Sequence, residues 1–431
     1  MSHEKFITDF LNIKPEYLQE IITLKQPDGS LHVKVRLKPQ GTTCPYCHKP
    51  AKVHGFYSRK LTHSVFNDRK CIIFYDQRRY ICKDCQCTFS EKNPFINNSQ
   101  QLTYITKVNI LKDLKYPEST YSSVAQRFNV SANRVIRIFD EGVDIPRKPL
   151  PEVLSIDEHY FPSSDYGSAY CCLLMDFITG EMIDVLPDRR EHYLINYFAN
   201  IKKMSLDYSS NKSELDNVKY VSIDMYENYR DVARLYFPKA KVCADSFYVL
   251  KHLTGDFNKV RLRCRRTTEN LTFKYWLTKL EYIFRHNASI DNEPRYNKSL
   301  GRYMNLRDIR EILFREFPEL RAAYELKEYY VNMNETCMLN EAPKVIDHAI
   351  SLFEACNIEE YDEFYGLLVN WREEIINSFT RINGKRINNS HIESKNRIVE
   401  KLIDNANGFK NFARTRNRIL YCLNKGDTFK L

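Results

Sequence analysis

The sequence predicts a multidomain chain of mixed α+β and α/β class. It reads as a small cysteine-built ribbon, a helix-turn-helix, and a larger α/β domain carrying a helical insertion. Three observations predict this. Two Cys-x-x-Cys pairs, Cys44–Cys47 and Cys82–Cys85, bracket strand-like sequence. A helical hairpin pattern from Ser122 to Phe139 runs up to a proline-rich linker, Ile145–Pro151. From Val153 the pattern becomes three strands, then helix, strand, helix and strand, before a long helical stretch from Phe247 to about Thr380.

Composition sets the bounds. At 431 residues the chain is long enough for two to three domains of roughly 100–200 residues each. With 43% hydrophobic and 13% aromatic residues it can bury real cores, which excludes a disordered chain. Glycine and proline, 12 and 16, are too scarce for a collagen-like one. No apolar run approaches the roughly 18 residues of a membrane span, so no membrane partner is expected. The first residues carry charges every few positions and lack the apolar core of a signal peptide. Thirteen cysteines, an odd number without a secretion signal, point to reduced thiols and a cytoplasmic setting. The net charge of +10 is concentrated at the two ends. Between Lys34 and Lys92 stand 13 basic and 4 acidic residues; between Arg381 and Leu431, 12 and 4. Basic ends around an acidic middle fit a polyanion partner.

The N-terminal domain is expected over residues 1–95. It opens with short helices at Glu4–Leu11 and Pro15–Thr23, then the alternating strand Leu31–Leu37. Between the cysteine pairs, Ile72–Tyr75 and Arg78–Ile81 are strand-like. Pair, strands, pair is how a zinc ribbon is built, and one tetrahedral Zn²⁺ replaces the core that about 50 residues cannot supply. The paired spacing favours Cys44, Cys47, Cys82 and Cys85 as ligands; Cys87, His48 and His54 are nearby substitutes. The other cysteines read as small buried hydrophobes.

Residues 96–145 form the expected helix-turn-helix. Val124, Ala125 and Phe128 share a face of the first helix. Asn129 suits a left-handed turn, Ser131 caps the second helix, and Val135 and Ile138 face back. Ala132, Asn133, Arg134 and Arg137 are then offered to a major groove. An ordinary helical hairpin with a polar outer face would read the same way.

Residues 152–431 form the expected third domain, with its insertion at about 255–380. Strands at Val153–Phe161, Tyr170–Asp176 and Glu181–Leu186 make a meander. The helix Glu191–Ile201, the strand Lys219–Asp224, the helix Tyr226–Phe237 and the strand Ala240–Asp245 complete an RNase H-like order. Two strands end alike, in Ser-Ile-Asp157 and Ser-Ile-Asp224. On adjacent strands both carboxylates project to one place, and two like charges there call for a cation. Oxygen ligands suit Mg²⁺ or Mn²⁺. A third carboxylate would anchor a second ion, and Glu393, early on the helix Ser390–Ala406, is the best candidate. Each has a plainer reading: Asp157 at a strand end, Asp224 as a helix cap, Glu393 on a solvated face. Glu158, Glu227, Asp245 and Glu400 are rivals.

Taken together these blocks resemble bacterial insertion-sequence transposases of the ISL3 family. The matching blocks, in order, are CPYC with RRYICKDC, the helix-turn-helix, SIDEHYF with SIDMYENYR and the Asp245-Ser-Phe-Tyr248 segment, and HIESKNRIVEKLIDNANGFKNFARTRNRILY. The resemblance implies a DDE transposase whose catalytic triad is Asp157, Asp224 and Glu393, holding two Mg²⁺ or Mn²⁺ ions beside one structural Zn²⁺. It implies binding to terminal inverted repeats, strand cleavage and strand transfer on double-stranded DNA, by a homodimer or higher oligomer at the bacterial nucleoid. Tyr248 stands where the family often has His, and Ser394 where it usually has Gly. The alternative is a domesticated, non-catalytic DNA-binding regulator, which needs the first 145 residues and not the carboxylates.

Overall fold

The computed structural model describes residues 9–39, 43–63, 69–96, 101–161, 168–207, 209, 212–286, 288, 290, 293–298, 300–406 and 411–430. They divide into two compact units, Met1–Pro146 with Ile398–Leu431, and Arg147–Arg397. By compactness the chain's last segment groups with its first rather than with residues 147–397.

The first unit begins with a five-stranded sheet: β1 (Leu18–Lys25), β2 (Leu31–Leu37), β3 (Ala51–His63), β4 (Cys71–Cys82) and β5 (Thr88–Ser90), in the order β1-β2-β4-β3, with β5 also on β4. The helix expected at Pro15–Thr23 is a single 3₁₀ turn, Pro15–Tyr17, followed by β1. Ile21, Ile22 and Thr23 are β-branched, and they pair with Val35, Lys34 and Val33 along the open edge of β2. The helix expected at Glu4–Leu11 falls largely outside the described residues. The two strand-like pieces between the cysteine pairs are one strand, β4. Its long antiparallel partner β3 gave no sequence signal, because Lys52–His54 and Phe56–Ser58 are exposed without alternation. Val33, Val35, Leu61, Ile73, Tyr75 and Phe95 form the core of this sheet.

Three helices follow: α1 (Tyr104–Asp113), α2 (Tyr121–Phe128) and α3 (Ala132–Gly142). Thr120 and Ser123 form a capping box on α2. Asn129 adopts φ 52° and ψ 45°, the left-handed conformation that Asn tolerates, and turns the chain. Ser131 then caps α3 by accepting from the Arg134 N–H at 3.3 Å. Val124, Val135, Ile138 and Phe139 are buried between the helices.

In the second unit a sheet of β6 (Val153–Tyr160), β7 (Tyr170–Asp176), β8 (Met182–Leu186), β9 (Tyr220–Ile223) and β10 (Lys241–Ala244) takes the order β10-β9-β6-β7-β8. The meander is antiparallel; β9 and β10 run parallel to β6. One face of the sheet packs Leu154, Ile156, Val221 and Ile223 against α4 (Glu191–Ser205), α5 (Glu227–Tyr236) and α6 (Ser246–Thr267). The helical insertion continues through α7 (Leu271–Lys279), α8 (Leu306–Glu316), α9 (Pro318–Thr336), α10 (Ala342–Ala355), α11 (Asp362–Asn370) and α12 (Arg372–Asn377). A small hairpin at Arg381–Arg386 turns on Asn383 and Gly384, both at positive φ, and leads to α13 (Ser390–Asn405). The other face of the sheet, Val153 and Cys243, is covered by Ile387 just before α13.

The last helix, α14 (Phe412–Leu423), packs on α1–α3. Arg414 makes two hydrogen bonds to Asp140, and buried Arg418 donates to the Tyr116 and Ser119 carbonyls. Tyr421 sets its ring against Phe139 and its hydroxyl on the Leu111 carbonyl. These bonds satisfy the backbone ends of α1 and the loop after it, which is why the segment belongs to the first unit.

Candidate functional site

The cysteine centre follows from the β3–β4 pairing. Ala51 pairs with Cys82, so the two Cys-x-x-Cys turns meet at one end of a two-stranded ribbon. Each turn closes with a non-glycine residue at positive φ, His48 at 58° and Gln86 at 57°. The Cys44 and Cys82 N–H groups donate to the Lys49 and Cys87 carbonyls, at 2.8 and 2.9 Å. All four sulfurs lie within 4.8 Å of one another, with Cys44 Sγ 3.6 Å from Cys85 Sγ and Cys47 Sγ 3.4 Å from Cys82 Sγ. Zn–S bonds of about 2.3 Å put tetrahedral sulfurs about 3.8 Å apart. The thiol set therefore fits zinc with little adjustment. Among the described residues, Cys87, His48 and His54 are not in this cluster.

The carboxylate centre follows from strand register. Ile156 pairs with Ile223, and Ile223 with Ala244, on three parallel neighbours. The next residue of each strand is an aspartate: Asp157, Asp224 and Asp245. β6 alone continues, to Tyr160, so Asp157 lies within its strand rather than at its end. All three are buried. Asp157 Oδ1 accepts from the Glu158 N–H at 2.9 Å, and Asp224 Oδ1 from the Tyr226 N–H at 3.2 Å. Asp245 caps α6 through the Phe247 N–H, and the Asn389 backbone also lies against its buried carboxylate. Among the described residues, the carboxylate oxygens lying within 4.8 Å of one another are those of Asp157, Glu158 and Asp224.

Glu393 is outside that tight group but beside it. It lies in the first turn of α13, whose approach is fixed by Asn389. That fully buried side chain accepts from Ser222 Oγ at 2.8 Å and donates to the Ile156 carbonyl at 3.2 Å, bridging β9 and β6. One turn further along, Asn396 donates to Asp157 Oδ2 at 2.8 Å. Glu393, three positions before Asn396, shares that face of the helix. Burial pushes Asp157 up to about 7, with the charges of Glu158 and Glu393 adding. Burial pushes Asp224 up to about 8, with Glu158 and Asp157 adding. Asp245 rises to about 6 by burial, with Glu393 adding. The Tyr248 hydroxyl is raised by burial and feels Asp157, Asp224, Glu158 and Glu393 together.

Crowded, partly desolvated carboxylates with bare oxygens are a donor set for a hard divalent cation. Glu227 and Glu400 lie outside the tight group. Glu158 was legible only as an acid next to Asp157. Its part in the cluster depends on how β6 runs past its neighbours, which no local pattern reveals.

On α3, Asn133 and Arg137 are exposed, and Arg134 is half-buried. Arg134 and Arg137 line an open cleft with Thr62, Gln101, Asn129 and Ser131. Lys107 stands close by and is pushed down by burial and then by these two arginines. The cleft is cationic, although Arg137 also pairs with Glu141 at 2.8 Å. Among the described residues no helix is long and apolar enough to cross a membrane.

Comparison with known families gives two matches. Residues 154–419 match the transposase model DDE_Tnp_ISL3, and residues 40–85 match the zinc-finger of transposase IS204/IS1001/IS1096/IS1165. No curated protein matches the chain.

Proposed function

Since the chain belongs to the ISL3-type DDE transposase family, whose model spans more than half of it, we propose that it binds the terminal inverted repeats of an insertion sequence and then cuts and rejoins DNA strands. The carboxylates Asp157, Asp224 and Glu393 are the proposed catalytic set. The observation that carries this reading is the strand register, which aligns Asp157 with Asp224, together with the Asn389 and Asn396 bonds that tie the helix of Glu393 to them. The sheet order, with two strands parallel to the first and a meander beyond it, supports an RNase H-like domain.

Bound Mg²⁺ or Mn²⁺, two ions in this reading, supplies a nucleophile at neutral pH and steadies the leaving oxygen of a phosphodiester. Asp157 and Asp224 hold the cation side of the site, and Asn396 fixes the orientation of Asp157. Glu393 closes the site from α13. The zinc ribbon and the helix-turn-helix of α2 and α3 bring the DNA. Asn133, Arg134 and Arg137 face the bases, and surrounding lysines and arginines meet phosphates, which position without reading sequence. The protein acts as a homodimer or larger assembly on transposon ends, on the bacterial chromosome in the cytoplasm.

The test is a cleavage and strand-transfer assay on paired transposon-end DNA with Mg²⁺ or Mn²⁺. Asp157→Asn, Asp224→Asn and Glu393→Gln should each abolish both steps and leave end binding intact. Double variants should be little worse than single ones, as for residues that act as a unit. Full strand transfer by Asp224→Asn would refute the triad. End binding without cleavage by the native protein, under any divalent cation, would instead favour the regulator. Arg134→Ala with Arg137→Ala should bring end DNA and random DNA to equal affinity.

A further inference from the structure

Among the described residues, the three carboxylates that converge most closely are not the proposed triad. Glu158 takes the place beside Asp157 and Asp224. Neighbouring residues of a strand point to opposite faces. Asp157 and Glu158 meet nonetheless, because they lie beyond the last paired position of β6 and β9, Ile156 with Ile223. There the Asp157 carboxylate folds back onto the Glu158 N–H, bringing both side chains round the same sheet margin.

Glu158 is held asymmetrically. Its Oε1 accepts from Arg189 Nη1 at 2.7 Å. Its Oε2 is buried and, among the described residues, meets no N–H donor, while the Asp224 carboxyl lies within hydrogen-bonding reach of the Glu158 carboxyl. A further carboxylate, Asp245, stands on the far side of Asp224; it is 1% exposed, its Oδ2 meets no side-chain donor among the described residues, and it feels the charge of Glu393. Arg189 is gripped between two rings, 4.1 Å from the Tyr170 centroid and 4.8 Å from that of Tyr226. Unlike the buried aspartates, Glu158 and Arg189 keep side-chain exposures of 21% and 25%. The cluster thus has one solvent-reached side, and a cation of the protein's own stands there.

We propose that Glu158 is a further ligand of the divalent-cation centre, and that Arg189 occupies its outer oxygen as a competing counter-cation when no metal is bound. This rests on reading Asp157 and Asp224 as the cation-binding pair. Two anionic oxygens in one pocket need positive charge. Arg189 supplies it through Oε1, and leaves the buried Oε2 uncompensated by any cation of its own.

A structural ion pair and a competing one give opposite signs. Mn²⁺ is titrated into the zinc-loaded full-length protein at neutral pH, and free Mn²⁺ is followed by its EPR signal. Glu158→Gln should weaken Mn²⁺ binding by about tenfold or more, at least the loss seen when a merely supporting residue is removed. Arg189→Gln should tighten it. If Glu158→Gln does not fold, the double variant Glu158→Gln/Arg189→Gln leaves no unpaired charge and should still bind more weakly than the native protein. Native affinity in Glu158→Gln, or weaker binding in Arg189→Gln, overturns the inference. Asp157→Asn separates the two readings. If it loses Mn²⁺ while Glu158→Gln keeps it, only the role of Glu158 falls. If both keep it, the active-site reading falls as well.

Discussion

His63 ends β3 wholly buried, with its ring edge-on to Phe10 and its Nδ1 3.0 Å from Thr103 Oγ1. Burial pushes the imidazole from 6.5 down to about 4, and a contact with the Phe10 backbone offsets this only in part. Between those values the unfolded chain binds more protons than the folded one, so stability is complete above about pH 6.5 and drains away as the pH falls toward 4. The full effect is of the order of 3 kcal/mol, at 1.36 per pKa unit. His63→Gln should therefore lose less melting temperature than the native protein between pH 7 and pH 5, with zinc content checked at each pH. Parallel melting curves would show that His63 does not report acid. The cysteine centre gives a sharper loss. Cys82→Ser removes a ligand from the end of β4, so bound zinc should fall below one per chain by metal analysis. The melting of the second unit should stay in place, because Arg147–Arg397 has its own core.

Helix α13 shows how an element can be positioned by one side chain. Asn389 uses both ends of its amide, one on each of two strands, and is fully buried. Asn389→Ala leaves Ser222 Oγ and the Ile156 carbonyl without their partner. The expected cost is about 1–3 kcal/mol, read as a lower midpoint in urea, and strand cleavage should fall while end binding persists. Unchanged cleavage would mean that α13 docks by its apolar face alone. The same helix marks a limit of sequence reading. Asp157 and Asp224 stand out because Ser-Ile-Asp occurs twice after apolar runs. Asp245 ends its strand in the same register without that motif. Glu393 looks like any acid on an amphipathic helix, and only the family resemblance singles it out. What docks its helix is Asn389, just before the first residue of α13 and far in sequence from β6. In the ribbon, the cysteine spacing was plain from the sequence. β3 was not, because much of the strand is exposed on both sides and alternation, the usual sign of a strand, is missing. β1 misled for a different reason: a Pro at the start and scattered charges imitate a helix that its pairing with β2 overrides.

At the scale of the whole molecule, the first unit is discontinuous, built from both ends of the chain. Position in sequence is a poor guide here, since α14 lies mostly within the last family-matching block yet its buried arginine and tyrosine bind the loop and helices of residues 111–143. A fragment ending at Pro146 should consequently be unstable and bind transposon ends poorly, although it holds the ribbon and α1–α3. Adding a peptide of residues 411–431 should restore helical circular dichroism and binding in a saturable way. A fragment of residues 1–146 that binds as tightly as the full chain would show that α14 is dispensable. The arrangement also sets an order of events during translation. The ribbon and its three helices leave the ribosome early, then wait roughly 15–60 s while the rest is made at about 5–20 residues per second. Only when the final helix emerges can the early helices close over their core. A prematurely terminated chain thus never completes this first unit, and the two ends of the message are proofread together by the fold.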